Sequence, residues 1–228
     1  MRTEATPTEP GATRLTYVAG LDGLRAIAVT VVLLYHAGLS GTVFGLDLTF
    51  PGGFLGVEVF FVISGYLITS LLLAEWRNTS SVNLGNFWLR RARRLLPALF
   101  LLLGTVMAVS LMVPSLRADV VGLRGDILSN IFYVTNWNFI LAEKSYFEAI
   151  GRPPLVRHLW SLAVEEQFYL VWPVLFGLGM RKLGKGRLLV CLLGGAALSS
   201  TLMYVLYNPE PGADPSRVFM GTDTRAAG

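Results

Sequence analysis

Two basic residues, Arg25 and His36, stand at the ends of an uncharged stretch in the sequence RAIAVTVVLLYH. An α-helix turns by about 100° and rises about 1.5 Å per residue, so this spacing predicts that both side chains share one face. Asp22, one turn before Arg25, is a natural ion-pair partner for the guanidinium. An imidazole takes up and returns a proton near neutral pH, which makes His36 a candidate for catalysis. The alternatives are boundary anchoring for Arg25 and hydrogen-bonded packing for His36.

Four arginines follow in the stretch RRARR, residues 90–94. Arg91 and Arg94 are three positions apart and are therefore neighbours on one helix face. Paired guanidinium groups suit phosphate, which accepts two parallel hydrogen bonds from each of them. The alternative is a cytoplasmic anchor that also attracts anionic lipid. Four arginines in five residues are more than a helix needs to be oriented in the membrane. The pattern therefore predicts that Arg91 and Arg94 bind phosphate as a pair.

Two adjacent carboxylates, Glu165 and Glu166, interrupt the apolar stretch HLWSLAVEEQFYLVWP at residues 158–173. Adjacent side chains on a helix point about 100° apart, so at most one of the two faces a given partner. The aromatic residues around them are typical of a membrane interface, but the carboxylates are not. The pattern predicts a functional carboxylate without deciding between them.

Small residues open another apolar stretch, GGFLGVEVFFVISGYLI, residues 52–68. Gly52, Gly53 and Gly56 predict that this helix approaches a neighbour closely. Glu58 follows at the start of the same helix. Its type and position fit either a helix-capping charge or a substrate contact.

The elements that must hold these residues are membrane helices. The chain of 228 residues is 53% hydrophobic and 15% charged, whereas an average soluble domain carries about 25% charged residues. A spanning helix needs about 20 mostly apolar residues. Four stretches qualify clearly and a fifth is apolar except at its start. The clear stretches are 26–46 apart from His36, 59–74, 95–116 and 188–208, and the fifth is 158–180. The prediction is an all-α fold, a polytopic transmembrane helix bundle.

Positive charge orients the spans. The segments 77–94 and 181–187 carry five and four basic residues with no acidic one, which predicts that both lie in the cytoplasm. Residues 1–19 are predicted to be a flexible cytoplasmic tail. A crossing at residues 127–142 would break the parity of the spans, so we expect a re-entrant or interfacial segment there, between the third and fourth clear spans.

Composition also narrows the class of partner. Cys191 is the sole cysteine, which excludes an intramolecular disulfide and a cysteine cluster for a metal. The formal net charge is +4, but the basic residues cluster in short loops. We therefore expect neither nucleic acid as a partner nor a metal site.

Taken together and in this order, the motifs make the sequence resemble the acyltransferase family 3 membrane proteins. These are bacterial enzymes that O-acylate carbohydrates and related hydroxyls of the cell envelope or of secondary metabolites. The resemblance covers residues 17–228. It implies about ten spanning helices, each of about 20 residues, so residues 20–228 are expected to be the N-terminal part of that domain, with about five spans. The motifs are LDGLRAIAV with His36, GVEVFFVISGYLIT, RRARRLLPA, HLWSLAVEEQFYLVWP and GTDTRAAG.

The resemblance also implies roles for the candidate residues. Arg25 and His36 match the family's element of an arginine, ten residues and a histidine, and Arg91 and Arg94 match its paired arginines. Glu165 is the preferred functional carboxylate. The implied donor is a cytoplasmic acyl-CoA, with acetyl-CoA the first choice. The two paired arginines would bind its phosphates, with Arg25 near the inner mouth of the donor path and His36 deeper. A carbohydrate or glycolipid acceptor would arrive from the outer side.

The sequence is compatible with more than one mechanism and more than one class of protein. His36 is a general base or a nucleophile, and only a nucleophile would give ping-pong kinetics. A rival class is a proton-coupled transporter or lipid flippase, in which Arg25, His36 and Glu165 line a proton path. Such a protein moves its substrate unchanged, whereas the enzyme leaves an ester. The expected location is the bacterial inner membrane, with several passes.

Overall fold

The structure, a computed structural model, describes residues 19–37, 42–43, 46–47, 52–147, 153–210 and 212–226. The chain divides into two compact units, Met1–Val82 and Asn83–Gly228, each of which is described by itself. Helices dominate both units, which confirms the all-α prediction. The predicted tail lies outside the described residues, except that Ala19 begins the first helix.

The first unit contains helix α1, Ala19–His36, and helix α2, Gly56–Thr79. Between them lies a hairpin of two short antiparallel strands, β1 (Thr42–Val43) and β2 (Leu46–Asp47). The predicted span 26–46 is therefore wrong at its C-terminal end, because helix α1 stops at His36. Glycines at positions 38, 41 and 45 disfavour a helix beyond that point.

Helices α1 and α2 approach closely, as the small residues predicted. A Cβ added at Gly56 would lie 2.7 Å from the carbonyl oxygen of Ala28 and 2.7 Å from Cγ2 of Val32. A Cβ at Gly53, in the short 3-10 turn that precedes α2, would lie 2.8 Å from the carbonyl oxygen of Val31. The backbone of α1 thus occupies the space that side chains would need. This contact confirms the packing role of the two glycines.

The second unit begins with a capped helix. The side chain of Asn83 accepts a hydrogen bond of 3.0 Å from the backbone N–H of Asn86, which satisfies one free donor of the first turn. A 3-10 segment, Pro114–Asp119, follows that helix. The helices are α3 (Leu84–Met112), α4 (Val120–Ile131), α5 (Thr135–Leu141), α6 (Leu159–Lys182), α7 (Gly184–Leu206), α8 (Ser216–Met220) and α9 (Thr222–Arg225).

Three helical stretches among the described residues are long and apolar enough to cross a membrane: Gly53–Thr79, Leu84–Met112 and Gly184–Leu206. They contain most of the predicted spans 59–74, 95–116 and 188–208. Helix α6 has 24 residues, which is long enough to cross, but it is not among these three stretches. The fold therefore agrees with a multi-pass membrane protein.

The segment predicted to be re-entrant or interfacial folds as two short helices. α4 has 12 residues and α5 has 7, each too short to span a bilayer alone. They are separated at Tyr133, whose φ of 54° lies in the left-handed region. Apolar residues from α3, α4 and the turn before α6 pack together as a core cluster: Leu99, Leu103, Leu123 and Val156. Whether α4 and α5 enter the membrane stays a prediction.

We predict that Gly56→Ala destabilises the first unit. Its new methyl group would meet the backbone oxygen of Ala28, which cannot move aside without displacing α1, and overpacking of this kind costs about 1–3 kcal/mol. Thermal melting of the detergent-solubilised protein measures the effect. Gly65→Ala is the matched control, because it lies on the same helix with no atom within 4 Å of its added Cβ. Equal melting temperatures for both variants would contradict the close contact.

Candidate functional site

The first candidate residues, Arg25 and His36, lie on one continuous helix. Arg25 makes the predicted ion pair with Asp22, with 3.8 Å between nitrogen and oxygen. The face that carries Arg25 and His36 also carries Ala28 and Val32, since these positions follow one another by three or four residues. Both candidates therefore lie on the face of α1 that packs against α2 at Gly56.

His36 is half-buried and is the last residue of α1. The sequence placed it inside a longer apolar run, and the structure corrects this to a helix end. Its Nδ1 lies 2.8 Å from the carbonyl oxygen of Val32. A carbonyl accepts hydrogen bonds and does not donate them, so Nδ1 carries the proton in the neutral ring and Nε2 is the basic atom. The ring of Tyr35 meets the imidazole edge to face at 5.1 Å.

A second group of candidate residues lies in the other unit, on α3 and α6. The guanidinium carbon of Arg91 is 3.4 Å from the centre of the Tyr169 ring and 5.5 Å from that of Phe87. The indole N–H of Trp88 donates a hydrogen bond of 3.2 Å to the backbone oxygen of Tyr169. An arginine over an aromatic face is attracted by the ring's negative face. Arg91 is therefore held against α6 by stacking.

The same tyrosine also holds one of the two predicted carboxylates. The Tyr169 hydroxyl donates a hydrogen bond to Oε1 of Glu165, one helical turn away. We call Arg91, Tyr169 and Glu165 the Tyr169 stack. A phenol ring thus links a cation on α3 to a carboxylate on α6. The structure brings together two residues that the sequence placed 74 positions apart.

The other carboxylate, Glu166, has a different environment. Its side chain is buried with 7% exposure, and its Oε1 has no hydrogen-bond partner among the described residues. Arg91 attracts this carboxylate electrostatically and Glu165 repels it. The two adjacent glutamates therefore point to different surroundings, as their helical spacing predicted.

The paired arginines of α3 also differ from each other. Arg91 is half-buried in the Tyr169 stack, whereas Arg94 is exposed one turn further along the helix. Arg90 and Arg93 are exposed as well. The predicted pair thus offers one fixed guanidinium and one that is open to a ligand from solvent.

A buried polar network next to these residues was not predicted from the sequence. The Nε2 of Gln167 donates to the backbone oxygen of Tyr133 at 2.6 Å and to Oδ1 of Asn136 at 2.9 Å. The Thr222 hydroxyl donates to Oε1 of Gln167 at 2.6 Å. Asn136 is completely buried, and its Nδ2 donates to the oxygens of Met220 and Thr222 at 3.1 and 2.9 Å. The asparagines within the apolar segment 127–142 are the sequence feature from which this network could have been predicted.

The motif GTDTRAAG supplies part of this network, and an ion pair holds it in place. Arg217 donates two hydrogen bonds to the carboxylate of Asp223, at 3.0 and 2.7 Å. These bonds hold the pKa of Asp223 below its ordinary value. The hydroxyl of Ser199 on α7 donates to the backbone oxygen of Asp223 at 2.7 Å. The motif is therefore fixed between α7 and α8.

A second polar cluster lies on α4. Asp126 is buried and pairs with Lys144 at 2.9 Å, while Asn138 donates to the same carboxylate oxygen at 3.3 Å. A cleft of 280 Å³ opens beside this pair. Its polar lining comes from Asp119, Asp126 and Lys144, and prolines 153 and 154 border it. Within the described part of the chain, no group of three histidine, cysteine or acidic residues is placed to hold a metal ion.

Comparison with known proteins gives consistent matches. The model of a family described as an acyltransferase domain matches residues 18–216. The chain is 44% identical over 212 residues to the peptidoglycan O-acetyltransferase OatA of Listeria monocytogenes, covering 92% of the chain and 32% of that protein. It is 46% identical over 212 residues to YrhL of Bacillus subtilis, which is provisionally named for the same activity, covering 92% and 31%.

A provisionally named O-acetyltransferase of Staphylococcus aureus is 43% identical over 213 residues, covering 93% of the chain and 33% of that relative. The chain thus spans about a third of the length of the curated relatives that it matches. No solved structure matches it.

We predict that Asn136→Leu destabilises the second unit. The change removes the three hydrogen bonds of this buried amide and deprives the Met220 oxygen of its side-chain donor. An unsatisfied buried polar group costs about 1–3 kcal/mol, so the melting temperature should fall. Asn86→Leu, the same change at an exposed position of α3, is the control and should have little effect. An unchanged melting temperature for Asn136→Leu would show that the network contributes nothing to stability.

Proposed function

Because the chain belongs to the acyltransferase domain family, we propose that it acts as a membrane O-acyltransferase. The proposed reaction moves an acetyl group from a cytoplasmic acyl-CoA to a hydroxyl of a carbohydrate in the cell envelope. The family match over residues 18–216 is the observation that carries the proposal, and the names of the relatives support the acetyl group. The match favours this activity over the transporter or flippase hypothesis. The proposed location is the bacterial inner membrane.

In this proposal His36 performs the proton or acyl chemistry. Because Nδ1 faces the Val32 carbonyl, Nε2 is the atom that takes the proton from the acceptor hydroxyl or attacks the acyl carbon. The fixed hydrogen bond at Nδ1 orients the ring and sets its tautomer, which is the usual arrangement for a catalytic imidazole. Arg25, on the same face of α1, is proposed to contact the donor nearer the cytoplasm.

The proposed donor site uses the arginines of α3. Coenzyme A carries phosphate groups, and guanidinium groups bind phosphate through paired, charge-assisted hydrogen bonds. Stacking on Tyr169 restricts the side chain of Arg91 before any ligand arrives, so less conformational entropy is lost on binding. Arg94 is exposed and can turn toward the same anion. Glu165 is proposed to take part in catalysis, with its carboxylate oriented by the Tyr169 hydroxyl.

The acceptor is proposed to be an envelope carbohydrate. Relatives named for peptidoglycan O-acetylation support such a polymer, whose sugars offer hydroxyl groups. We expect it to arrive from the outer side, where the topology predicted from basic residues places the segment 115–157.

We predict that His36→Ala abolishes acyl transfer, with a fall of about 100-fold or more, because a positioned base contributes about that factor or above. The assay measures radiolabelled acetyl groups moved from acetyl-CoA to envelope glycan in membranes that contain the full-length protein. His158→Ala is the matched control, since it changes the only other histidine, which is exposed at the start of α6. Full activity of His36→Ala at equal membrane abundance would rule out its catalytic role.

We predict that Arg91→Gln and Arg94→Gln each raise the donor KM by about ten-fold or more, because a hydrogen bond to a charged group contributes about 1.5–3 kcal/mol. The difference from wild type should be largest at low ionic strength, since salt screens the charge that the variants lack. The donor KM is measured over a range of salt concentrations, with Arg187→Gln, at an exposed position near the start of α7, as the control. An unchanged donor KM at every salt concentration would leave both arginines as topology anchors.

A further inference from the structure

One carboxylate oxygen on α6 has no hydrogen-bond donor among the residues that the structure describes. Glu166 is buried, and its Oε1 makes no hydrogen bond with any residue that the structure describes. Burial of a polar oxygen without a donor is unfavourable, and a carboxylate within a helix bundle is normally paired or serves a function. A partner from outside the chain would satisfy this oxygen.

The neighbours of Glu166 prevent it from turning away. On one side Glu165 is engaged by the Tyr169 hydroxyl, and on the other Gln167 is bonded through both of its polar atoms to Tyr133, Asn136 and Thr222. These bonds fix the rotation of α6 about its axis at this level. The backbone at Glu166 is consequently held in place before any ligand binds, although Oε1 of Glu166 has no hydrogen bond with the described residues.

The surrounding charges indicate what kind of ligand fits. Arg91 already supplies a positive charge near Glu166, and its guanidinium is held in place over the Tyr169 ring. The positive charge of Arg91 therefore compensates the carboxylate, but no residue that the structure describes donates a hydrogen bond to its Oε1. A second cation would meet repulsion from Arg91, whereas a neutral O–H or N–H group would not. The fitting ligand is a neutral hydrogen-bond donor.

We propose that Glu166 is a substrate-binding residue whose Oε1 accepts a hydrogen bond from a neutral O–H or N–H group of a substrate. This inference rests on the proposed acyltransferase function. Two substrates carry such groups: the carbohydrate acceptor has hydroxyls, and the arm of coenzyme A has amide N–H groups. Glu166 then differs in role from Glu165, whose carboxylate is bonded within the Tyr169 stack.

The test compares Glu166→Met with Glu166→Gln in membranes that contain the full-length protein. Methionine has nearly the same length and no charge, so it removes the unpaired oxygen without leaving a large cavity. If Glu166 binds substrate, Glu166→Met should melt at or above the wild-type temperature and raise the KM of one substrate by about ten-fold, as expected for a lost hydrogen bond to a charged group. Glu166→Gln keeps an acceptor oxygen and should restore part of the affinity.

The KM values of the two substrates identify which of them donates the hydrogen bond to Glu166. A raised KM for a soluble chito-oligosaccharide with an unchanged KM for acetyl-CoA would assign the hydrogen bond to the acceptor, and the reverse result would assign it to the donor. Glu210→Met, at an exposed position in the segment after α7, is the matched control. Stabilisation of the solubilised protein by each substrate, measured by thermal melting, should be lost in Glu166→Met for the same substrate.

Three results would overturn the inference. Wild-type KM values for both substrates in Glu166→Met would show that the oxygen binds neither. Loss of both Glu166 variants from the membrane would show that the carboxylate is structural. Absence of acyl transfer in the wild-type protein would contradict the proposed function itself. That failure is distinguishable from the first result, because it is seen in the wild-type protein alone.

Discussion

The need to pair every polar group inside an apolar bundle governs the second unit. Gln167 satisfies it by joining α6 to the break between α4 and α5 and to Thr222, through hydrogen bonds of 2.6 to 2.9 Å. Completely buried Asn136 extends the network to the Met220 oxygen. Any other rotation of α6 about its axis would break these hydrogen bonds and leave several buried polar groups unsatisfied. The polar residues of α6 therefore specify its rotation more than its apolar residues do.

That fixed rotation determines the chemistry of the residues on either side of Gln167. The guanidinium of Arg91 stacks on the Tyr169 ring, and the Tyr169 hydroxyl donates a hydrogen bond to Glu165. Glu166 is buried near the compensating charge of Arg91, and its Oε1 has no donor within the described part of the chain. Residues 165–169 thus contain a residue that anchors the network, a ring on which an arginine stacks, and a buried acceptor for which we propose a role in substrate binding. The hydrogen bonds of Gln167 stabilise the helix and so hold Glu166 in a buried position that is itself unfavourable.

Close contact performs a comparable task in the first unit. Gly53 and Gly56 let α2 approach the backbone of α1, so the face that carries Arg25 and His36 is set against a neighbouring helix. Membrane helices gain little from burial of apolar surface against each other, because lipid is equally apolar. Small residues that permit van der Waals contact are therefore a principal source of their association. The catalytic candidate His36 depends on this packing for its position.

The sequence by itself determined the helical class, the long spans α2, α3 and α7 and the shared face of Arg25 and His36, because run length and helical period are local properties. It also indicated Glu165 and Glu166 as unusual. Only the tertiary structure decided which of the two is buried and where α1 ends. The reason is that the deciding contacts join distant residues: Gln167 and Thr222 are 55 positions apart. No local pattern encodes such a pairing, which exists only when the helices have packed.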